Sequence, residues 1–187
     1  METDEKKIVA NCQGGRAEDF SLLYFKYVKK IYRYIYYKTQ HRESAEDLTS
    51  QTFIKALEKI RSFDPEKSLF STWLYAIARN NVIDFYRTSK NNYDINDVWD
   101  LRDDSDIARD ADLKAKLQKV EKYIKKLDPE QREIVMLRVW DGMSHKEIAG
   151  ILGKSEASCK MMFSRTIRSL KNEMPLEVLL YLLFIKF

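Results

Sequence analysis

The chain has 187 residues, of which 44% are apolar and 33% charged, with only five Gly and three Pro; that length and composition suit one helical domain or two small ones and exclude a turn-dense β fold. The net charge of +4 is unevenly spread: residues 1–87 hold 15 basic and 12 acidic side chains, residues 88–112 hold 3 and 8, and residues 113–187 hold 15 and 9. Two basic blocks around an acidic segment suit two polyanion-binding modules on a tether, although solvated helix faces would give the same counts.

In chain order, a short helix is expected before Gly14-Gly15. Phe20, Leu23, Tyr24, Tyr27, Ile31, Tyr34 and Ile35 then recur at helical spacing over about four turns. After a break at Gln40–Arg42, a second long helix is expected from Glu43 to Ile60, with Leu48, Thr52, Ile54, Leu57 and Ile60 as its apolar period. Its acidic start, Glu43, Glu46 and Asp47, complements the helix dipole. The same start also suits a docking face for a basic partner helix. Asp64-Pro65 breaks the chain in the loop RSFDPEKS. A polar loop beside a basic helix suits an extruded base, although an ordinary connector has the same composition.

The next helix, Leu69 to Arg87, mixes rings and cations. At 3.6 residues per turn, Trp73, Asn80, Asp84 and Arg87 lie on one stripe and Ser71, Tyr75, Arg79 and Tyr86 on another. Rings beside cations suit single-stranded nucleic acid, because bases stack on rings while Arg and Lys hold phosphates. An aromatic stripe is also what a core requires, so Trp73 and Ile77 are assigned to packing. Arg79, Asn80 and Arg87 remain contact candidates. Residues 88–110 lack a sustained period, are rich in Asp and Asn, and read as a flexible acidic linker.

Helical character returns from Ala111 to Lys126. Pro129 suits the first turn of the following helix, where its missing N–H costs nothing. Asp141-Gly142 ends that helix. Ser144 and Glu147 then form a capping box, followed by Ile148, Ile151 and Leu152 at helical spacing. Gly153 stands where a helix end needs a left-handed residue, and Ser155 caps a second helix carrying Lys160, Arg165, Arg168 and Lys171. A short helix, a glycine turn and a basic helix form the sequence pattern of a helix-turn-helix, whose second helix enters the major groove. Two core helices joined by a glycine turn share that pattern. The last segment, Leu176 to Phe187, is strongly apolar but too short for the roughly 20 residues of a spanning helix. It is expected to be a helix packed on the second domain, with a partner-binding or membrane-surface helix as the alternative.

No catalytic constellation emerges: there is no phosphate-cradling glycine loop and no nucleophile with a paired base. The expectation is a protein that is not an enzyme and takes no small-molecule substrate. His41 and His145 lack Cys or carboxylate partners at ligand spacing, so no metal or cofactor is expected. Cys12 and Cys159 are far apart and no secretory signal opens the chain, which suits a reduced, cytoplasmic setting.

Three stretches, in this order, resemble the two-domain extracytoplasmic-function sigma factors of bacterial RNA polymerase. AEDLTSQTFIKALEKI, from Ala45, resembles region 2.2, and FSTWLYAIARNNVIDFYR resembles regions 2.3 and 2.4. LDPEQREIVMLRVWDGMSHKEIAGILGKSEASCKMMFSRTIRSLK resembles region 4. The resemblance implies an all-α fold of two small helical domains: region 2 over residues 1–87, a linker over 88–112, region 4 over 113–174, and an apolar tail over 175–187. It implies core RNA polymerase and promoter DNA as partners, with an anti-sigma factor as a further one. Ser158, Lys160, Met161, Ser164 and Arg165 would contact the duplex −35 element, with Arg168 on phosphate. Phe63, Lys67, Ser68, Phe70, Arg79, Asn80 and Arg87 would take the single-stranded −10 element. Asp47, Gln51 and Phe53 would meet the largest polymerase subunit. Where the family often has Thr-Val, this chain has Ser158-Cys159, and Met161-Met162 replaces more arginine-rich sequence. Two Met residues make fewer polar base contacts, so the family's −35 preference does not carry over. The competing reading from the residues is a stand-alone helix-turn-helix regulator, with the first half as a sensor or dimerisation domain. A third, an interaction protein that sequesters a partner through the tail, explains only the last dozen residues.

Overall fold

The computed structural model describes residues 2–88, 119–120 and 122–184. Among these residues every regular element is helical. They fall into two compact units, each considered by itself.

The first unit is built from α1 (Glu2–Gln13), α2 (Phe20–Thr39), α3 (Arg42–Lys59) and α4 (Phe70–Thr88). Helix α2 buries Phe20, Leu23, Tyr27, Ile31, Tyr34 and Ile35, which agrees with its apolar period except at Tyr24, an exposed residue. Each fully buried Leu or Ile contributes about 1.5–3 kcal/mol to this core. Gln40 ends α2 in the left-handed region at φ 52°, and its N–H bonds the Tyr36 carbonyl at 2.8 Å. His41 Nδ1 then caps α3 by accepting from the Ser44 N–H at 3.3 Å. The tight turn makes α2 and α3 a helical hairpin.

Two expectations fail in α3. Ile54 and Leu57 are 57% and 40% exposed. Residues at i, i+3 and i+7 from Asp47 share its outer stripe. The buried face is instead Ala45, Leu48, Thr49, Thr52, Phe53 and Ala56. Thr49 and Thr52 hide their hydroxyls by donating to the carbonyls of Ala45 and Leu48, at 2.6 and 2.7 Å. A buried polar link then joins α3 and α4: Asn81 Nδ2 donates to Thr52 Oγ1 at 2.9 Å, and Lys55 Nζ donates to Asn81 Oδ1 at 2.6 Å. Gln13 of α1 donates to the carbonyls of Ile60 and Phe63, tying the first helix to the start of the 63–69 loop.

The second unit contains helical residues 119–120 and 122–124, a turn, α5 (Pro129–Val135), residues 145–149 of α6 (His145–Leu152), α7 (Glu156–Glu173) and α8 (Leu176–Phe184). Pro129 stands in the first turn of α5 behind the Asp128 cap, as its spacing predicts. The helix does not simply stop at Asp141-Gly142. It widens into a π-helical turn over Met136–Trp140, with the Asp141 N–H bonded to the Met136 carbonyl at 3.2 Å. That widening turns Met136, Leu137 and Trp140 all inward. Such turns inside helices are rare and have no simple sequence signature. The core also takes Ile124, Ile134, Ile148, Cys159 and Leu170. From Leu176 to Phe184 the tail is helical, and it packs on this unit with Val178, Leu179 and Leu182 buried. The expected linker, apart from Thr88 in α4, and the expected helix from Ala111 to residue 118 lie outside the described residues.

Candidate nucleic-acid interface

The helix-turn-helix is held by its caps. Ser144 Oγ accepts from the Glu147 N–H at 3.2 Å, and Glu147 Oε2 accepts from the Ser144 N–H at 2.7 Å. Gly153 follows at φ 66°, where a side chain would be strained. Ser155 Oγ then accepts from the Ser158 N–H at 3.2 Å and starts α7. Lys154, in the turn, pairs with Glu130 of α5 at 3.0 Å. Arg138 Nη1 donates to the Met143 carbonyl at 2.7 Å, closing the preceding turn.

These constraints fix the rotation of α7. Cys159, Thr166 and Leu170 face the core. Lys160, Met161, Ser164, Arg165 and Arg168 are exposed, and Ser158 is half-buried near the cap. The 3.6-residue period places Met161, Ser164, Arg165 and Arg168 on the stripe opposite the core, flanked by Ser158 and Lys160. All six candidates therefore share one accessible side. Burial pushes the Cys159 thiol above its usual range, so it acts as a small apolar residue under the helix.

His145, the first residue of α6, sits edge-on to the Phe163 ring of α7 at 5.6 Å. Its imidazole is held below the usual value of 6.5, first by burial and then by the charges of Arg138 and Lys160; Glu156 opposes them. The unfolded chain therefore binds a proton more readily than the folded one as pH falls through 6.5. Stability of this domain rises with pH in that window and is lost on acidification. His145→Gln is expected to flatten the melting temperature between pH 7 and 5.5; an unchanged pH slope would place the titration elsewhere.

In the first unit the −10 candidates divide by burial. Asn80 and Arg87 are exposed on the outer stripe of α4, with Arg87 paired to Asp84 at 3.0 Å. Arg79 and Trp73 are half-buried. Tyr75, assigned by spacing to the stripe of Arg79, is fully buried with its ring at 5.1 Å from Tyr34. Phe63 and Phe70 are also interior, at 5% and 2% exposed. Their rings meet edge-on at 5.8 Å, and both contact Trp73, at 5.0 and 5.6 Å. Spacing places these rings near the loop but does not reveal that they pack on one another. They are the loop's foundation, while Lys67 is exposed and Ser68 half-buried.

The loop itself is set by Asp64. Its carboxylate accepts from the Glu66 N–H at 3.0 Å and pairs with Lys67 at 3.1 Å, which hold its pKa below the usual carboxylate range. A cleft beside the loop is lined by Val9, Phe63, Pro65, Leu69 and Phe70, with Glu5, Lys6 and Ser68 at its polar parts. Helix α1, which carries no motif, supplies one wall. Sequence reasoning missed this wall because only chain reversal brings α1 to the loop.

Of the polymerase-facing candidates, Asp47 and Gln51 are exposed one turn apart on α3. Phe53 is 4% exposed, packed against Tyr24 at 4.9 Å and Phe20 at 6.4 Å, so its ring supports the face from beneath. The outer stripe continues instead through Ile54.

Among the described residues no helix is long and apolar enough to cross a membrane, and no group of three or more His, Cys, Asp or Glu is placed to hold a metal. The sequence matches the Sigma-70 region 2 family over residues 23–92 and the Sigma-70, region 4 family over residues 117–170. It is 33% identical over 174 residues to the ECF RNA polymerase sigma factor BldN of Streptomyces coelicolor, covering 90% of this chain and 65% of BldN. It is 31% identical over 161 residues to the RNA polymerase sigma factor YlaC of Bacillus subtilis, covering 81% of this chain and 90% of YlaC. Among solved structures, CnrH in complex with the cytosolic domain of CnrY aligns at a TM-score of 0.67 and 23% identity, over 90% of this chain and 95% of that one. The sigma factor RpoE of Bartonella quintana, in complex with the anti-sigma factor NepR, aligns at 0.65 and 23%, over 83% and 96%. Those two likenesses bear on the fold. The sequence is also 30% identical over 153 residues to the ECF RNA polymerase sigma factor SigM of Bacillus subtilis, covering 80% of this chain and 91% of SigM, and with the paired region 2 and region 4 matches this places the chain in a family: it belongs to the extracytoplasmic-function (ECF) sigma factors, transcription initiation factors of bacterial RNA polymerase.

Proposed function

We propose that this chain binds core RNA polymerase, directs it to specific promoters and assists their opening, with region 2 over residues 1–87, a linker over 88–112, region 4 over 113–174 and an apolar tail over 175–187. The observation that carries the residue-level reading is the capped α7, with Met161, Ser164, Arg165 and Arg168 on the stripe opposite its core. Ser158, Lys160, Met161, Ser164 and Arg165 read the −35 element in the major groove, and Arg168 holds phosphate. Lys67, Ser68, Asn80 and Arg87 hold the −10 strand, with Arg79 beside them. Phe63 and Phe70 brace the loop from within. Asp47 and Gln51 meet the largest polymerase subunit, supported by Phe53. The factor acts where the polymerase is, in the cytoplasm, and is not itself an enzyme. An anti-sigma factor is a natural further partner.

Run-off transcription with core polymerase on promoter fragments from the source genome tests this. Protein-dependent transcripts are expected. Their absence, together with tight binding of the protein alone to duplex DNA, would make it a stand-alone regulator. Within this reading, Asn80→Ala is expected to slow opening by roughly 5- to 150-fold, since loss of one base contact costs about 1–3 kcal/mol. Polymerase recruitment should be unaffected. Opening is followed by permanganate reactivity of unpaired thymines, and recruitment by co-purification. Equal loss of both would remove Asn80 from base capture.

A further inference from the structure

The stripe of α7 opposite its core is not uniformly polar. By the helical period Ala157, Met161, Ser164 and Arg168 run along its centre, with Ser158 and Arg165 on one flank and Lys160 on the other. The buried Cys159, Thr166 and Leu170 fix that rotation. Among the described residues of α7, Met161 is the one large apolar side chain that is exposed, at 50%. Met162, Phe163 and Ile167 are half-buried, and Ala157 is exposed one turn before Met161. The centre of the stripe is therefore apolar towards the N-terminus of the helix and polar towards its C-terminus. A lone exposed apolar side chain needs no explanation. Here two share one spot, in the half of a recognition helix that reaches base edges.

We infer that Ala157 and Met161 select thymine: the C5-methyl of a thymine in the −35 element seats against the apolar spot that these two side chains form. The inference deepens the reading of α7 as the helix that reads the −35 element, and rests on it. Base pairs present acceptors and amino donors in the major groove, which call for polar partners, and the thymine methyl is the apolar group among them. Alanine is one of the residue types that meet this methyl, and its short side chain lets the helix backbone come close. Methionine is unbranched and adaptable, so it closes over an apolar group without needing one fixed geometry. Its thioether is a weak acceptor and no donor. Guanine O6 or cytosine N4 opposite the same spot would give up water for no hydrogen bond in return, so a G·C pair is disfavoured there. Ser158 and Lys160 beside the spot, with Arg165 and Arg168 further along, supply the polar contacts that hold the helix in register.

The test uses holoenzyme made from core polymerase and the full chain, bound at fixed salt to a fluorescent promoter from the run-off screen. Each thymine of the −35 element, on either strand, is replaced in turn by deoxyuridine, which keeps the hydrogen-bonding groups of thymine and lacks the methyl. One such replacement is expected to weaken binding about four-fold, the equivalent of about 0.8 kcal/mol for one methyl-sized group. With Met161→Ala the same replacement should have little further effect. Met161→Gln, which keeps the length of the side chain and adds an amide, should abolish the methyl effect as well. Binding that ignores deoxyuridine at every position would overturn the inference. So would an equal loss in wild type and in both variants, or a −35 element without an A·T pair. Run-off transcription by the wild-type chain on intact and scrambled −35 templates separates the two readings. If transcripts do not depend on the −35 element, the reading of α7 falls and the thymine contact with it; if they depend on it but not on the methyl, only the thymine contact falls.

Discussion

Arg165→Ala is expected to collapse the dependence of transcription on the −35 element while leaving polymerase binding intact. Arg165 is exposed on the outer stripe of α7, with Met161 and Arg168 one turn to either side. An arginine that reads a base edge in the major groove is worth about 1–3 kcal/mol of discrimination, or roughly 5- to 150-fold. The loss should be concentrated here because the neighbouring Met161 is 50% exposed and offers little polar contact. Comparing run-off transcription from intact and scrambled −35 templates measures it. The ratio should approach one in the variant, while co-purification with core polymerase stays at the wild-type level. Loss of polymerase binding would move Arg165 out of the DNA interface altogether.

The second large effect is on stability. Leu137 is fully buried in the π-helical turn, where the widened helix turns it together with Met136 and Trp140 into the core of the second unit. Leu137→Ala removes buried methyl groups and leaves a cavity, at a cost of about 2–5 kcal/mol. For a domain of this size each kcal/mol is worth about 4–8 °C in melting temperature. Thermal unfolding followed by circular dichroism should therefore show the second unit melting at least several degrees lower, while the first unit's transition persists. The stripe on α7 depends on this core for its orientation, so −35-dependent transcription should fall with it. A melt unchanged by the substitution would show that the turn packs otherwise.

The helices and their ends were largely legible from spacing and capping chemistry. Ser144, Glu147, Gly153 and Ser155 act through backbone groups within four residues, so their pattern in the chain already states their geometry. The same holds for Pro129 behind Asp128 and for the six candidates on α7, because one helix with a known buried side has only one opposite side. The period was less reliable where two faces compete. In α3 it assigned Ile54 and Leu57 to the core, but the buried face is Ala45, Leu48, Thr49, Thr52, Phe53 and Ala56 instead. In α4 it could not separate Asn80 from Asn81: one is exposed, and its neighbour is buried in a hydrogen bond to Thr52.

The sequence by itself thus determined the helical class, the break at Gln40–Arg42, the helix-turn-helix and the basic stripe of its second helix, because local hydrogen bonds and a 3.6-residue period decide all of these. Only the tertiary structure decided that Phe63, Phe70 and Phe53 brace the surfaces they were expected to line, that α1 walls the cleft beside the loop, and that α5 ends in a π turn. Each of these depends on which groups meet across the fold. A ring such as Phe63 carries the same sequence signal whether it stacks on a base or on Trp73, and burial against distant partners makes that choice.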